Sequence, residues 1–332
     1  MRSIFTHTYE DIISHANLLG AWREFLKGKR GKQDVQEFQY RLSDNLAALY
    51  DELKCEKYRH GGYHHFKISD PKPRDIHKAS VRDRLLHHAL YRVLYPYFDR
   101  RFIADSYSCR EGKGTNKALN RFRSFAYQVS KNDTKTSWVL KCDIRKFFAS
   151  IDQGILLNIL KKYLSDERIL ALVAGIIASF NSGTPGKGLP LGNLTSQLLV
   201  NIYMNEFDQF VKHVLKVKYY IRYADDFVFL SDEHSHLLSL LPHIDTFLRD
   251  MLKLSLHPNK VFIKTLASGV DFLGWVHFPD HRVLRPATKK RMFRRIHSNQ
   301  KPEVVASYRG LLSHGNTKKL ENKMLARGGG LC

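Results

Sequence analysis

The segment YYIRYADDFVFLS, residues 219–231, constrains the fold more than any other part of this chain. It places Asp225 and Asp226 side by side between two short runs of β-branched and aromatic residues, Tyr219–Ile221 and Phe227–Leu230. Such runs favour strands, and their close spacing predicts a tight β-hairpin with the two carboxylates at its tip. Because adjacent carboxylates repel each other, a fold that holds them together usually supplies divalent cations.

A third carboxylate lies upstream, in the segment WVLKCDIRKFFASID. Trp138–Cys142 predicts a strand, and Asp143 falls at its end, before a helix-like segment. Asp143 and Asp225 on neighbouring strand ends would bind two Mg²⁺ ions, the arrangement that activates a 3′-hydroxyl and stabilises departing pyrophosphate. An ordinary surface turn is the alternative for an Asp-Asp pair, but it leaves the flanking aromatic runs and the strand that ends in Asp143 unexplained.

These segments resemble the palm motifs of reverse transcriptases, in which YxDD marks the palm hairpin and KCDIRKFFASID (141–152) corresponds to the first palm motif. Other segments resemble, in order, two fingers motifs, the second palm motif, the lysine-bearing palm motif and the primer-grip turn. They are PKPRDIHKASVRDR (71–84), SYSCREGKGTNKAL (106–119), GKGLPLGNLTSQLLVNIYMNEFD (186–208), LHPNKVFI (256–263) and VDFLGW (270–275). The form LGNLTSQ is similar to the reverse transcriptases of diversity-generating retroelements, which copy a template RNA with errors concentrated at its adenines.

The resemblance implies an α+β right-hand polymerase with fingers, palm and a short helical thumb, preceded by a helical N-terminal segment. We predict the helical segment over 1–60, the fingers over 61–135, the palm over 136–275 and the basic thumb over 276–332. Residues 282–297 are dense in Arg and Lys interleaved with apolar residues, which predicts a thumb helix with one apolar and one basic face. A basic face that only contacts solvent is the alternative.

The metal ligands and catalytic residues are implied by the palm motifs. Asp143 and Asp225 are the expected ligands of both metals, with Asp226 assisting and the backbone carbonyl of Ile144 as a further ligand. Mg²⁺ prefers oxygen donors, so carboxylates together with the phosphates of a nucleotide make a suitable site. Mn²⁺ is an alternative ion.

Basic residues of the fingers and palm motifs are expected to bind the triphosphate. Arg74 and Arg84 match the family motif, and planar guanidinium groups bind phosphate oxygens in bidentate fashion. Lys78 is a further candidate, for which a surface role is the alternative. Lys260, in the segment HPNK, resembles the palm lysine near the triphosphate, and a plain surface lysine is again the alternative.

Other residues of the palm motifs would contact the sugar and base of the nucleotide. Phe148 stands five residues after Asp143, where reverse transcriptases carry an aromatic ring that excludes a ribose 2′-hydroxyl, while its neighbour Phe147 is expected in the core. In the second palm motif, Leu191-Gly192 and Ser196-Gln197 replace the Gln-Gly and Ser-Pro of most bacterial relatives. Gly192 would allow close backbone approach, and Gln197 is a further nucleotide-binding candidate.

Composition agrees with a protein that binds polyanions. Fifty-four Lys and Arg against 32 Asp and Glu give a formal net charge of +22. A membrane surface is the alternative partner, but no basic amphipathic helix argues for it. The candidate nucleic-acid contacts are Arg110, Lys113, Arg291, Arg294 and Arg295.

The remaining composition points to the cytoplasm. No apolar run is long enough for a transmembrane helix, and the first 20 residues contain acidic side chains where a signal peptide needs an apolar block. Four cysteines, Cys55, Cys109, Cys142 and Cys332, lie far apart and form no CxxC pair. That spacing fits neither a disulfide framework nor a zinc site.

Together these features predict an RNA-directed DNA polymerase that extends a DNA or RNA 3′-end on an RNA template. By resemblance, its partners are template RNA, the cDNA or primer, deoxynucleotides and a small basic accessory variability protein. Two alternatives stay open: a phage-defence or retron reverse transcriptase, and a catalytically idle RNA-binding protein that keeps the polymerase fold. Asp143, Asp225, Asp226 and Phe148 are all present, which argues against the idle protein.

Overall fold

The computed structural model describes residues 4–69, 73–299 and 301–328, which contain both helices and strands. The α-helices are α1 Tyr9–Ile13, α2 His15–Phe25, α3 Gln33–Tyr40, α4 Leu42–Lys54, α5 Val81–Asp99, α6 Thr115–Val129, α7 Phe147–Ser150, α8 Gln153–Lys161, α9 Glu167–Ala178, α10 Leu194–Gln209, α11 His234–Leu252, α12 Pro286–Ser298, α13 Pro302–Leu312 and α14 Lys318–Gly328. The strands are β1 Tyr63–Ile68, β2 Arg74–Ala79, β3 Trp138–Asp143, β4 Tyr220–Tyr223, β5 Asp226–Ser231, β6 Phe262–Thr265, β7 Val270–Phe272, β8 Trp275–His277 and β9 Arg282–Leu284.

The chain forms two compact units, each assembled from three stretches of sequence. The first unit comprises Met1–Ala104, Ile144–Val214 and Asp245–Ser255. The second unit comprises Asp105–Asp143, Leu215–Ile244 and Leu256–Cys332. The predicted division into an N-terminal segment, fingers, palm and thumb stays a prediction.

The second unit is built around an antiparallel sheet with the strand order β4-β5-β3-β6. Its central strands are almost continuously buried, from Val139 to Cys142 in β3 and from Phe227 to Ser231 in β5. Helix α6 packs against β4 and β5 and contributes Phe122 and Phe125 to the same core. Because both strands are buried almost throughout, their sequences are mostly apolar and do not alternate, with Lys141 as the charged exception within the buried part of β3.

The first unit is mainly helical. Helices α2 and α10 both pack against the long helix α5, whose buried residues include Leu85, Leu86 and Leu90. Helix α5 begins where the Ser80 hydroxyl accepts a hydrogen bond from the Asp83 backbone N–H, as expected of an N-cap serine. The only strands in this unit's described residues, β1 and β2, form an antiparallel hairpin. The predicted helical N-terminal segment is present as α1 to α4, and the basic stretch at 27–32 is a turn between helices.

The prediction of one helix over 282–297 is wrong for its first residues. Arg282–Leu284 forms strand β9, which pairs with β8 in a three-stranded sheet, and helix α12 begins at Pro286. Proline favours the first turn of a helix because it has no N–H to leave unsatisfied there. The residue before a proline avoids helical backbone angles, so the helix cannot extend back through Arg285. Within α12, Met292 and Ile296 are buried, as the predicted apolar face requires.

No helix in the described ranges is both long and apolar enough to cross a membrane.

Gly315, in the loop between α13 and α14, gives a test of packing in the second unit. A methyl group at this position would overlap a ring carbon of Trp275, which is fully buried. We expect Gly315→Ala to lower the free energy of unfolding by about 1–3 kcal/mol through overpacking, measured by urea denaturation. The control Gly310→Ala lies in α13 with open space around it, and should raise stability by about 0.5–1 kcal/mol through helix propensity. Equal denaturation midpoints for Gly315→Ala and the wild type would contradict close packing on Trp275.

Candidate active site

The tip of the β4–β5 hairpin carries Asp225. Tyr223 pairs with Asp226, so Ala224 and Asp225 form a two-residue connection, as the sequence predicts. Two-residue hairpin loops use turns with positive φ because these match the twist of the strands. Ala224 has a φ of 55°, a left-handed conformation that costs a residue with a side chain about 1–2 kcal/mol. Such strained residues cluster at functional sites.

Asp226 lies opposite Asp143 across the β3–β5 pair. Side chains directly opposite each other on antiparallel strands are close neighbours, and like charges in these positions are destabilising. The pKa of Asp226 is raised to about 7, first by burial and then by the negative charges of Asp143 and Asp225, against the lowering effect of Lys141. One carboxylate oxygen of Asp226, Oδ1, is buried without a hydrogen-bond partner in the described structure.

Two lysine ammonium groups lie close to these carboxylates. Lys260 Nζ lies 2.8 Å from Asp143 Oδ1, and Lys141 Nζ lies 3.3 Å from Asp226 Oδ2. Lys141 also donates a hydrogen bond to the Asp271 carbonyl at 2.8 Å and is 9% exposed. Sequence reasoning missed Lys141. The signal was its position two residues before Asp143, since alternate residues of a strand share a face.

A buried arginine forms hydrogen bonds with the hairpin and with the segment around Ser106. Arg222 is 0% exposed, and its guanidinium donates to the Ala224 carbonyl at 3.2 Å and to the Ser106 hydroxyl at 3.1 Å. The Arg222 backbone also bonds with the segment around Ser106, accepting from the Tyr107 N–H and donating to the Asp105 carbonyl. The motif SYSCREG therefore holds the carboxylate hairpin in place, a role that its sequence did not indicate.

The carboxylates fit a divalent metal site that is completed by substrate. The described residues contain no group of three or more His, Cys, Asp or Glu side chains already arranged to hold a metal. Mg²⁺ is usually held by one or two carboxylates plus substrate phosphates, so a complete protein cage is not required. The partnerless Oδ1 of Asp226 provides an acceptor for such an ion. Ile144, the other predicted ligand, is buried in the first unit, and its role stays a prediction.

A separate pocket of about 630 Å³ lies within the first unit. It is lined by three predicted nucleotide-binding residues, Arg74, Phe148 and Leu191, together with Lys146. Phe148 is partly exposed whereas Phe147 is 4% exposed and packs in the core, which matches the arrangement expected of the aromatic pair. The contacts of these residues with a nucleotide stay predictions.

Two hydrogen bonds to the His77 backbone join the second palm motif to strand β2. The His77 N–H donates to the Leu191 carbonyl at 3.1 Å, and the Asn193 side chain donates to the His77 carbonyl at 2.9 Å. Gly192, between them, has a φ of 110°, and a methyl group there would lie 3.0 Å from Ile76. This close approach to β2 requires glycine. Gln197 follows in α10 and is partly exposed.

The other two basic candidates of the first unit already have an ionic partner. Lys78 Nζ and Arg84 Nη2 each lie 2.6 Å from Asp34 Oδ2, in helix α3. The Arg84 guanidinium also lies over the Phe25 ring, 5.0 Å from its centroid. Both cations therefore hold the N-terminal helices to the rest of the unit. Sequence reasoning missed Asp34, which lies 50 residues from Arg84.

The predicted nucleic-acid contacts lie in the second unit. Arg110 donates a hydrogen bond to the Ser106 carbonyl at 3.0 Å, and Lys113 lies 5.2 Å from the centroid of the Tyr107 ring. Arg294 and Arg295 are exposed on α12, and Arg291 is partly exposed. Their contacts with RNA stay predictions.

Comparison with known proteins gives the family. Residues 67–277 match the model of the family described as reverse transcriptase (RNA-dependent DNA polymerase). The chain belongs to the reverse transcriptase family. This domain indicates an RNA-directed DNA polymerase, as the sequence predicts, and the family generally uses divalent metals.

The relatives of this reverse transcriptase include intron-encoded proteins at low identity. It is 26% identical to Protein YkfC of Escherichia coli strain K12 over 291 residues, which cover 76% of this chain and 74% of YkfC. It is 25% identical to the group II intron-encoded protein LtrA of Lactococcus lactis subsp. cremoris over 158 residues, which cover 46% of this chain and 25% of LtrA. The match to the putative COX1/OXI3 intron 1 protein of Saccharomyces cerevisiae covers 21% of that protein. The chain thus spans a minor part of these two intron-encoded relatives.

Solved structures confirm the right-hand polymerase fold. An apo telomerase from Candida tropicalis, truncated from its C-terminal domain, matches with a TM-score of 0.51 at 12% identity, covering 70% of this chain and 58% of the telomerase chain. A telomerase from Candida albicans in complex with a fragment of telomeric RNA matches with a TM-score of 0.50 at 10% identity, covering 75% of this chain and 51% of that one. At such identities the likeness concerns the fold alone.

The assignment of Asp225 as a metal ligand predicts a loss of catalysis without a loss of fold. Primer extension by Asp225→Asn in Mg²⁺ should fall at least about a hundred-fold, because metal ligation contributes several kcal/mol of charge stabilisation. Asp232→Asn, at an exposed position just after β5, is the matched control and should keep wild-type extension. Circular dichroism and RNA binding should be unchanged in both variants. Full extension by Asp225→Asn would rule out the assignment.

Proposed function

We propose that this reverse transcriptase copies a template RNA into cDNA within a diversity-generating retroelement, with errors concentrated at template adenines. The observation that carries the proposal is the aliphatic residue Leu191, in the segment LGNLTSQ, on the wall of the pocket that also contains Arg74 and Phe148. The reverse transcriptase domain itself implies template RNA and nucleotide substrates.

Each residue of the site has a proposed role. Asp143, Asp225 and Asp226 hold two Mg²⁺ ions, which stabilise phosphate charge and activate the primer 3′-hydroxyl when bound. Arg74 binds the triphosphate through its guanidinium. Phe148 excludes a ribose 2′-hydroxyl and so selects deoxynucleotides.

Lys260 has a role that follows from its contact with Asp143. Its ammonium group lies 2.8 Å from the Asp143 carboxylate and offsets the repulsion between the carboxylates. The palm motif implies a further role for Lys260, a contact with the phosphates of the incoming nucleotide.

The proposed fidelity defect follows from the chemistry of Leu191. A glutamine amide at this position could hydrogen-bond the incoming nucleotide and steady the correct pair, whereas an aliphatic side chain neither donates nor accepts. One lost hydrogen bond of about 0.5–1.5 kcal/mol lowers discrimination by roughly 2- to 13-fold. The concentration of errors at adenine comes from the resemblance to the retroelement enzymes and not from this hydrogen bond.

The proposed working unit contains the template RNA, the primer or cDNA and a small basic accessory variability protein. The net charge of +22 supports binding to RNA, since Lys and Arg neutralise phosphates and release counterions. Two alternatives are distinguishable. A retron or phage-defence enzyme would use its own structured RNA, and a non-catalytic RNA-binding protein would keep its function without Asp225.

The substitution Leu191→Gln tests the proposal. The wild-type enzyme with an RNA template and its natural partners should misincorporate far more often opposite adenine than opposite the other bases. Leu191→Gln should lower that misincorporation by roughly 2- to 13-fold, provided that the amide occupies the space of the leucine. The control Leu238→Gln places the same substitution at a leucine that is 53% exposed, and should leave fidelity unchanged. Sequencing of the cDNA products gives the error rate at each template base.

The same experiment can reject the retroelement proposal while keeping the polymerase. Uniformly low errors at all four template bases would leave an ordinary bacterial reverse transcriptase. Arg74→Ala should change the adenine error rate as well, since Arg74 lines the same pocket as Leu191.

The basic thumb helix predicts a salt-dependent affinity for template RNA. Each phosphate contact with single-stranded RNA contributes about 0.7 to the slope of log K against log salt concentration. The double reversal Arg294→Glu/Arg295→Glu should therefore reduce the slope by about 1.4 if each arginine contacts one phosphate. The same reversal at Arg100 and Lys161, exposed in the first unit, controls for net charge. If both variants show the same slope as the wild type, the basic face of this helix contacts only solvent.

A further inference from the structure

A small pocket in the second unit is lined by none of the catalytic carboxylates. It is formed by helix α6, the turn that joins β8 to β9, and the loop that follows α13, and has a volume of about 220 Å³. The β8–β9 turn lies at the opposite end of β8 from Leu273-Gly274, the predicted primer-grip turn. The pocket is therefore distinct from every site assigned above.

Two arginines line this pocket without a carboxylate to balance them. Arg282 donates its Nε hydrogen to the His314 carbonyl, and its Nη2 to the Asn120 side chain at 3.3 Å. Its Nη1 is buried without a hydrogen-bond partner. Arg123, on α6, is close enough that its charge, after burial, lowers the pKa of Arg282. Within the part of the chain that the structure describes, no carboxylate comes within 4.0 Å of either guanidinium.

A buried histidine also lines this pocket. His277 is 3% exposed, and its Nε2 has no partner in the described structure. Its ring packs against Phe122, with 4.5 Å between the centroids. Burial, followed by the charge of Arg282, lowers the pKa of His277 to about 3, so the imidazole is neutral near pH 7. The other ring nitrogen donates to the Phe272 carbonyl, so Nε2 is an acceptor and does not donate to a bound anion.

The acidic group of the pocket is on its rim and is already paired. Asp280 is 82% exposed at its side chain and lies 2.7 Å from His281 Nδ1. An exposed pair of this kind contributes little field to the interior, because solvent screens it. The interior of the pocket is therefore electropositive, with an unused guanidinium donor.

We propose that this pocket binds a phosphate group through Arg123 and Arg282. Guanidinium groups present paired donors that match phosphate oxygens, and a dianion would offset the repulsion between the two arginines. The volume of about 220 Å³ is below the range of about 300–1,000 Å³ typical of pockets for drug-sized ligands. It therefore suits a phosphate group, free or carried by nucleic acid, rather than a whole nucleotide. The proposal does not depend on the retroelement assignment.

Chemical modification of arginine tests the site in the intact chain. Phenylglyoxal modifies accessible guanidinium groups, and peptide mass spectrometry gives the rate at each arginine. Inorganic phosphate, compared with chloride at equal ionic strength, should slow modification of Arg123 and Arg282 about three- to ten-fold. Arg100 is exposed in the first unit and serves as the internal control, with an unchanged rate. Equal protection of Arg100 and of the pocket arginines would overturn the proposal.

Two variants on α6 distinguish phosphate binding at a specific site from a general attraction of anions to a basic protein. Arg123→Gln should remove most of the phosphate protection of Arg282, because the second guanidinium is lost. Lys117→Gln removes the same charge from an exposed position on the same helix, outside the pocket, and should leave the protection intact. Both side chains are exposed, so both variants should fold. Undiminished protection of Arg282 in Arg123→Gln would also overturn the proposal.

The probe that protects the pocket arginines from phenylglyoxal at the lowest concentration identifies the source of the phosphate group. The probes are inorganic phosphate, an RNA with a 5′-phosphate and the same RNA with a 5′-hydroxyl. Equal protection by both RNAs at micromolar concentration would identify a backbone phosphate. Protection by the 5′-phosphorylated RNA alone would identify a terminal phosphate, and protection by inorganic phosphate alone would identify a small anion. No protection by any of the three would overturn the proposal.

Discussion

The pairing of β3 with β5 determines where the carboxylates of this reverse transcriptase lie. In this register Asp143 is opposite Asp226, and Asp225 follows from the two-residue loop at the end of the same hairpin. A slip of one residue would turn the side chains of β3 to the opposite face of the sheet. Buried residues on both strands, such as Val139 and Phe229, resist that slip because their packing would be lost. Burial thus holds together three negative charges that would otherwise repel each other.

The charges around these carboxylates follow from the same constraint. Burial, together with the negative charges of Asp143 and Asp225, raises the pKa of Asp226 to about 7 against the lowering effect of Lys141. Lys141 and Lys260 offset part of the repulsion, but Asp226 Oδ1 keeps no partner. A divalent ion supplies the missing charge and ligand contacts together, which is a physical reason for the family to use such ions at paired carboxylates.

The sequence predicted the parts of the site that depend on local pattern. The hairpin and strand β3 were predicted correctly because runs of β-branched and aromatic residues, with Asp at their ends, identify strands directly. The predicted helix over 282–297 begins too early, because β9 mixes arginine with apolar residues as α12 does. Arg222 and Asp34 were missed for another reason. Their partners are set by the tertiary fold, and no local pattern identifies a contact across 116 residues, such as that between Arg222 and Ser106.

The number of Lys and Arg residues overstates how many cations are available to bind RNA, because several of them form ion pairs within the protein. Arg82 pairs with Glu52, Arg121 with Asp105, and Asp34 with both Lys78 and Arg84. A phosphate that approached Lys78 or Arg84 would have to compete with a carboxylate already 2.6 Å away. Arg123 and Arg282 face no such competitor among the described residues, although neither was among the nucleic-acid contacts that the sequence predicted. Whether a cation can bind a phosphate therefore depends on its ionic partners within the protein, which a count of Lys and Arg does not show.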